Sequence, residues 1–198
     1  MSIIYRSIYL YRAVMWLLYL GKYRKRFTRI TDLLRESDKT VLELCFGDIY
    51  IAEYCKAHSK KWIGYDISEH FVTYARRIGF DARREDISLL AKFPENDVCV
   101  MIGSLYHFHK ELRELFGKIL HAAPRFILSE PVINWTNKGG FLSSLARLFT
   151  GAGKGHESFR FDEASLIETL EALKRELRFD YKVVHKDRDM VVEIRRAI

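Results

Sequence analysis

Residues 41–47 read Val-Leu-Glu-Leu-Cys-Phe-Gly, an apolar segment that ends in an acidic residue, a small residue and a glycine. A helical pattern that starts at Asp48 follows at once. Glycine at a turn from strand to helix lets the backbone approach a ligand closely, and the start of the helix offers unpaired N–H groups beside it. This segment therefore predicts the first strand and turn of a nucleotide-binding α/β domain.

The loop is nevertheless poor in glycine. A dinucleotide-binding fingerprint uses three glycines, whereas the outer two positions of a Gly-x-Gly-x-Gly pattern are Cys45 and Ile49 here. Because a β-branched residue is disfavoured at positive φ, we expect Ile49 to have entered the helix already. Cys45 needs either an ordinary backbone conformation or a strained one. The missing glycines disfavour an NAD enzyme.

Strand-like and helical segments alternate along most of the chain. The predicted strands are residues 41–47, 62–66, 80–86, 97–103 and 125–130, and the predicted helices are residues 48–58, 69–78, 110–121 and 163–177. Such alternation implies right-handed crossovers and a parallel sheet that is covered on both faces. The ending differs, because residues 179–185 and 190–194 flank a short charged turn and predict an antiparallel hairpin at the sheet edge.

The length of 198 residues, without linker or repeat, predicts a single domain. Apolar residues at helical spacing predict one or two helices in residues 1–36, which would pack against or cap this domain. The three cysteines have no metal or redox spacing, so we expect no metal site and a reduced, cytoplasmic setting.

The formal net charge is +7, and part of the excess follows the apolar residues 8–20 as a basic run over residues 22–29. This arrangement could steer an anionic partner, could place the first helix on a membrane surface, or could be a solvated helix face. A transmembrane span is not expected, because Arg6 and Arg12 interrupt the apolar run. The run leads into further basic residues rather than a small-residue cleavage site, which disfavours a signal peptide.

Acidic residues fall where the predicted strands end, which is where a parallel sheet binds its ligand. Asp66 lies 19 residues after Gly47, a distance suited to accepting hydrogen bonds from both hydroxyls of a ribose. Asp86 ends the third strand and could accept from an adenine amino group, while Glu43 lies at the loop where a cationic ligand end would sit.

These segments together resemble the successive motifs of class I S-adenosylmethionine-dependent methyltransferases. The resemblance runs from about residue 38 to the C-terminus, and its motifs are Glu-Leu-Cys-Phe-Gly at 43–47, Tyr-Asp-Ile-Ser at 65–68, Glu-Asp-Ile at 85–87 and the stretch at 97–109. It is similar in particular to small-molecule methyltransferases of the ubiquinone-biosynthesis type, because Leu-Tyr-His at 105–107 is like the Leu-His-His stretch after their fourth strand.

The resemblance implies a Rossmann-like α/β fold, a doubly wound sheet of seven strands that is mostly parallel with an antiparallel last strand, and S-adenosylmethionine as cofactor. It implies that one group of residues lines the methionine end, the ribose, the base and the floor of the site: Glu43, Cys45, Gly47, Asp66, Ile67, Asp86, Ile87, Gly103 and Ser104. Tyr23, from the N-terminal helices, could reach the cofactor carboxylate.

Methyl transfer depends mainly on alignment and exclusion of water, and a base helps where the acceptor is a hydroxyl or a carbon acid. His107 is the first candidate for that base, and the others are His109, Glu130 and His156. A structural histidine bonded to backbone is the alternative for His107. Residues 134–160 contain an apolar helical segment and a glycine-rich stretch, which suggests a movable lid that selects the acceptor.

The leading hypothesis is methyl transfer to a small, apolar or aromatic acceptor. A non-catalytic module that binds the cofactor or a protein partner is the contrasting alternative. Modification of a lipid or quinone at a membrane surface is a variant of the lead. An RNA methyltransferase would explain the positive charge, but the fourth strand lacks the Asn/Asp-Pro-Pro-aromatic turn of enzymes that methylate base amino groups, so nucleic acid is not an expected partner.

Overall fold

The computed structural model describes residues 7–133 and 159–197, and all ranges below refer to these. Seven strands form one sheet. They are β1 (Thr40–Leu44), β2 (Lys61–Asp66), β3 (Asp81–Arg84), β4 (Val98–Ile102), β5 (Arg125–Pro131), β6 (Phe179–Lys186) and β7 (Asp189–Arg196). The helices are α1 (Ile8–Leu18), α2 (Tyr23–Thr31), α3 (Tyr50–Ala57), α4 (Glu69–Arg77), α5 (Leu112–Ala122) and α6 (Glu163–Leu177), with a 3₁₀ turn at Leu105–Phe108.

The strand order is β3-β2-β1-β4-β5-β7-β6. Strands β1 to β5 are parallel, and β7 pairs antiparallel with both β5 and β6. The predicted doubly wound, mostly parallel sheet with an antiparallel last strand is therefore confirmed. Because β1 has β2 on one side and β4 on the other, the strand order reverses between β1 and β4, which is the point where such sheets bind ligands.

The sheet is covered on both faces, because its strands alternate side chains between two apolar clusters. Along β1, Val41 packs in the cluster with α1 to α4, while Leu42 packs in the cluster with α5 and α6.

At the edge of the sheet opposite the ligand-binding edge, the buried Arg125 guanidinium pairs with Asp38 and Glu193 at 2.6 and 2.7 Å. This buried network ties the beginning of β5 to β7 and to the segment before β1.

Two predicted helix starts differ from the structure. The helix after β1 begins at Tyr50, with Ile49 as its N-cap residue, rather than at Asp48. Asp48 does not serve as the N-cap residue: its carboxylate accepts the N–H of the adjacent Ile49 at 2.8 Å and is held by Arg12 and Tyr23. Helix α5 begins at Leu112 rather than at residue 110, because a 3₁₀ turn occupies the preceding segment. Helix α6 and the terminal hairpin lie where the sequence predicts them.

Candidate active site

The loop after β1 is built around the carboxylate of Asp66, which lies at the end of β2. The Gly47 N–H donates to Asp66 Oδ2 at 3.0 Å, and the Ser68 N–H donates to Oδ1 at 2.7 Å. Burial raises the pKa of Asp66 to about 6, and these two backbone hydrogen bonds limit the rise. The first loop and the acid of the second strand thus form one hydrogen-bonded unit at the point where the strand order reverses.

Cys45 has the left-handed backbone conformation that the loop requires, with φ 55°, and Gly47 has the same φ of 55°. Enclosure by protein raises the pKa of the Cys45 thiol, and the nearby carboxylates of Asp66 and Asp86 add to the rise. The thiol is therefore protonated at neutral pH. Ile49 has φ −94°, so it is not at positive φ, but it is the N-cap residue of α3 and has not entered the helix as the sequence predicts.

Replacing Cys45 with glycine is expected to stabilise the protein by about 0.5–1 kcal/mol, because glycine relieves the strain of a side chain at positive φ but costs some unfolded-state entropy. Chemical denaturation measures this change. Ser59→Gly is the matched control, since Ser59 has φ 53° on an exposed turn. A destabilised Cys45→Gly variant beside a stabilised Ser59→Gly variant would show that packing of the thiol outweighs the strain.

Glu43 is fully buried on the face of β1 that packs against α1 to α4. The Trp62 Nε1–H donates to Glu43 Oε2 at 2.8 Å, while Oε1 has no hydrogen-bond partner among the described residues. Burial raises the pKa of Glu43 well above its usual value, and the negative charges of Asp48 and Asp66 add to this effect. Glu43 is therefore a buried acid whose ionised form would gain from a nearby cation.

The ends of β3 and β4 supply the remaining residues that the resemblance implies. Asp86 accepts hydrogen bonds from the Ser88 N–H at 3.2 Å and the Ser88 hydroxyl at 2.7 Å. Ile87 is buried in the core, whereas the side chain of Ile67 is exposed. Gly103 has φ 64° and Ser104 follows it, with its hydroxyl 3.4 Å from the Ile102 carbonyl.

The N-terminal helices pack directly on the Gly47 loop. Arg12 donates from Nη2 to Asp48 Oδ1 at 2.7 Å and from Nε to both carboxylate oxygens at 3.1 Å. The buried hydroxyl of Tyr23 donates to Asp48 Oδ2 at 3.3 Å. A Cβ on Gly47 would lie 3.3 Å from the Tyr11 hydroxyl. Tyr23 is the residue of these helices that the sequence predicts near the cofactor. The only sequence signal for the pairing of Arg12 with Asp48 is that Arg12 interrupts an apolar run.

Arg26 is a second residue that sequence reasoning missed, since it lies within the basic run that follows the first helix. Only 6% of its surface is exposed. Its Nε lies 2.8 Å from Asp189 Oδ2, its guanidinium lies 5.1 Å from the Tyr19 ring centroid, and its Nη2 has no hydrogen-bond partner among the described residues. Nη2 is next to Gly103, where an added Cβ would collide with it. A cation with an unused donor is therefore buried at the end of β4.

The candidates for the base lie at the ends of β4 and β5. Glu130 is 1% exposed, and its Oε2 accepts the Leu105 N–H at 3.0 Å. Burial raises the pKa of Glu130 to about 8, although the Leu105 hydrogen bond and the charge of Arg26 oppose the rise. At neutral pH this carboxyl is mostly protonated, and it holds the start of the 3₁₀ turn that carries Tyr106 and His107.

The two histidines of that turn have different surroundings. His107 is half-buried, with its ring centroid 3.9 Å from that of Tyr106. His109 Nδ1 lies 3.1 Å from the Tyr106 carbonyl oxygen, and its ring stacks on Phe159 at 4.4 Å. The guanidinium of Arg160 covers the Tyr106 ring at 3.8 Å. His156 and most of the predicted lid lie outside the described residues.

Solved structures share this architecture. A Listeria monocytogenes protein assigned to the S-adenosylmethionine-dependent methyltransferases aligns over 88% of this chain and 99% of its own, with a TM-score of 0.66 and 16% identity. DhpI, solved as a complex with SAM and HEP, aligns over 96% and 94%, with a TM-score of 0.68 and 15% identity. Human N-acetylserotonin methyltransferase, solved with SAM, aligns over 98% of this chain and 58% of its own, with a TM-score of 0.64 and 16% identity.

No protein-family model and no curated protein matches the sequence. The similarity to known proteins is therefore one of fold, and the strand order together with these solved structures identifies the fold. The chain has the class I S-adenosylmethionine-dependent methyltransferase fold.

Proposed function

We propose that this protein transfers a methyl group from S-adenosylmethionine to a small apolar or aromatic acceptor. The observation that carries the proposal is the hydrogen bond between Asp66 and the Gly47 N–H at the reversal of strand order. An acid in this position can accept hydrogen bonds from ribose hydroxyls, and the adjoining loop approaches the ligand through its backbone. The solved structures with the same fold support the choice of cofactor, since several contain SAM or SAH.

In this proposal Asp66 binds the ribose and the exposed Ile67 packs on the adenine. Asp86 and Ile87 border the base, although burial of Ile87 limits its part to shaping the wall. The methionine end lies over the loop and over the end of β4, where the lining residues are Glu43, Cys45, Gly47, Gly103 and Ser104. A sulfonium and an ammonium in this place would favour the ionised form of Glu43.

Arg26 is the residue best suited to bind the cofactor carboxylate. Tyr23, the candidate from the sequence, already donates its hydroxyl to Asp48. Arg26 instead has a buried guanidinium whose Nη2, beside Gly103, has no hydrogen-bond partner in residues 7–133 and 159–197. A buried unpaired donor costs free energy that an anionic ligand would recover. The carboxylate of the methionine end is such an anion.

For the reaction itself, the protein has to align the acceptor with the methyl group and exclude water. His107 remains the proposed base, because it lies on the turn at the end of β4 and its ring is partly accessible. Glu130 holds its proton at neutral pH, so it positions this turn rather than removing a proton. His109 is engaged with the Tyr106 carbonyl and Phe159, which favours a structural part.

Calorimetric titration tests the proposal. The wild-type protein is expected to bind S-adenosylmethionine and S-adenosylhomocysteine but not NAD. It should bind the decarboxylated analogue of S-adenosylhomocysteine about tenfold or more weakly, because a charge-assisted hydrogen bond is lost. Absence of binding by the first two ligands would reject the proposed function.

The Arg26→Gln variant separates the carboxylate assignment from the function itself. This variant should bind S-adenosylhomocysteine and its decarboxylated analogue with nearly equal affinity, and circular dichroism checks that it is folded. If the glutamine variant does not fold, the same two titrations are made with Arg26→Lys, which keeps the positive charge. Equal binding of both ligands by the wild type would reject the assignment to Arg26 while leaving the proposed cofactor in place.

A further inference from the structure

The outward side of α1 and of the turn after it is apolar. Every exposed residue from Ile8 to Leu20 is aliphatic or aromatic, and the exposed set is Tyr9, Leu10, Ala13, Trp16, Leu17 and Leu20. Tyr9, Trp16 and Leu20 are 69%, 60% and 63% exposed. Their spacing of three or four residues makes one continuous stripe on the helix. We call these six residues the apolar stripe. Its composition is unusual, because a surface helix of a globular protein normally presents polar residues on its solvent side.

Positive charge is concentrated in the same part of the chain. Residues 1–31 contain seven Lys and Arg and no Asp or Glu, which equals the whole formal net charge of +7. Residues 32–198 are balanced in charge. Lys22, Arg24 and Lys25 are exposed just after Leu20, and the exposed Arg77 lies over Tyr74, which contacts Tyr9 at the other end of the stripe. Cations therefore border the apolar stripe at both ends.

We propose that α1 docks on an anionic lipid surface, with the apolar stripe in the headgroup boundary and the surrounding cations on the lipid phosphates. An apolar face with Trp, Tyr and Leu, bordered by Lys and Arg, is the composition of helices that lie in the membrane interface. A second copy of this chain fits less well, because it would bring two strongly basic segments together. In residues 7–133 and 159–197 no helix is long and apolar enough to cross a membrane.

The docked helix also reaches the candidate active site. On the inward side of α1, Arg12 pairs with Asp48 and the Tyr11 hydroxyl lies next to Gly47. A helix with its side chains is about 10–12 Å across, so lipid on one side and the Gly47 loop on the other are separated by about that distance. An acceptor dissolved in the membrane would then meet the site without crossing bulk water.

Sedimentation of the full chain with lipid vesicles tests this inference. Vesicles of phosphatidylcholine that contain phosphatidylserine are expected to carry the protein down, and binding should weaken by about tenfold or more when added salt screens the charges. Vesicles of phosphatidylcholine alone should bind it much more weakly. Trp16→Ser with Leu20→Ser should reduce binding by about tenfold or more, because two large apolar side chains no longer enter the interface.

Matched controls separate docking from general surface effects. Leu89 is 80% exposed and lies outside α1 and α2, so Leu89→Ser removes an equally accessible leucine and should leave vesicle binding unchanged. Lys22→Glu with Lys25→Glu should weaken binding to the anionic vesicles, whereas Lys61→Glu with Lys92→Glu makes the same charge change elsewhere and should weaken it much less. All these positions are exposed, so folding is expected to survive.

The inference is overturned if the wild type does not bind anionic vesicles, or if the stripe variant binds them as well as the Leu89→Ser control. A wild type that stays off vesicles and is dimeric in analytical ultracentrifugation, with Trp16→Ser and Leu20→Ser making it monomeric, would assign the stripe to a second copy instead. The cofactor titrations do not depend on this result, since they need no lipid.

Discussion

The Asp66→Asn variant is expected to bind S-adenosylmethionine at least about a hundredfold more weakly than the wild type, because hydrogen bonds from two ribose hydroxyls to an ionised acceptor are lost or weakened. The same carboxylate binds the Gly47 and Ser68 N–H groups, so the substitution also loosens the loop. Asparagine keeps one acceptor oxygen and nearly the same volume. Calorimetry should therefore record a loss of affinity without loss of the fold.

The pH dependence of binding gives a second reading of the same residue. Since the pKa of Asp66 is raised to about 6, the wild type should bind more tightly above pH 6 than below it. The Asn variant should lack this part of the dependence. The control is Asp81→Asn, because Asp81 lies at the first residue of β3 and pairs with the exposed Arg83. Wild-type affinity in the Asp66→Asn variant would contradict the proposed site.

Much of this site could be predicted because it depends on order along the chain. The carboxyl ends of parallel strands meet at one edge of a sheet, so Asp66 at the end of β2 and Asp86 just after β3 fall at the same edge as the Gly47 loop. The strands themselves are recognisable because those buried on both faces read as continuous apolar runs, such as β4 at Val98–Ile102. The apolar pattern of the strands and their order along the chain are therefore enough to predict the fold and the position of Asp66 at the end of β2.

The contacts of the N-terminal helices could not be predicted in this way. Arg12 pairs with a residue 36 positions away, and Arg26 reaches Gly103 and Asp189 from within a run of basic residues. A charged residue in an apolar run looks like an interruption, and a buried arginine in a basic run looks like its solvated neighbours. Only tertiary packing distinguishes Arg26, which is buried, from Lys25, which is exposed.

Conformation at Cys45 was likewise open from the sequence, because side chains rarely adopt positive φ and the pattern alone could not say which residue would bear the strain. The structure places Cys45 there because the loop must bring Gly47 to Asp66. The glycine-poor loop therefore keeps the turn that a glycine would make more easily. This is why the absence of the fingerprint glycines disfavours a dinucleotide-binding loop without excluding another ligand.

A large pH effect on stability is expected from Glu130. Its pKa is about 8 in the folded protein and near 4.5 when unfolded. Between these values the folded state binds one proton more than the unfolded state, so the free energy of unfolding falls as pH rises. For a group this deeply buried the loss is on the order of 5 kcal/mol across the window. Stability from this group is thus greatest below about pH 4.5.

Glu130→Gln isolates this contribution, because glutamine keeps an acceptor oxygen for the Leu105 N–H and cannot ionise. Asp66 and Glu43 have pKa values raised in the same direction, so the difference between variant and wild type is more informative than either curve alone. Urea denaturation at a series of pH values should show the variant gaining stability relative to the wild type from about pH 5 to pH 8 and no further change above. A difference that does not vary with pH would mean that Glu130 is already ionised beside Arg26, and His107 would then lose its advantage as the proposed base.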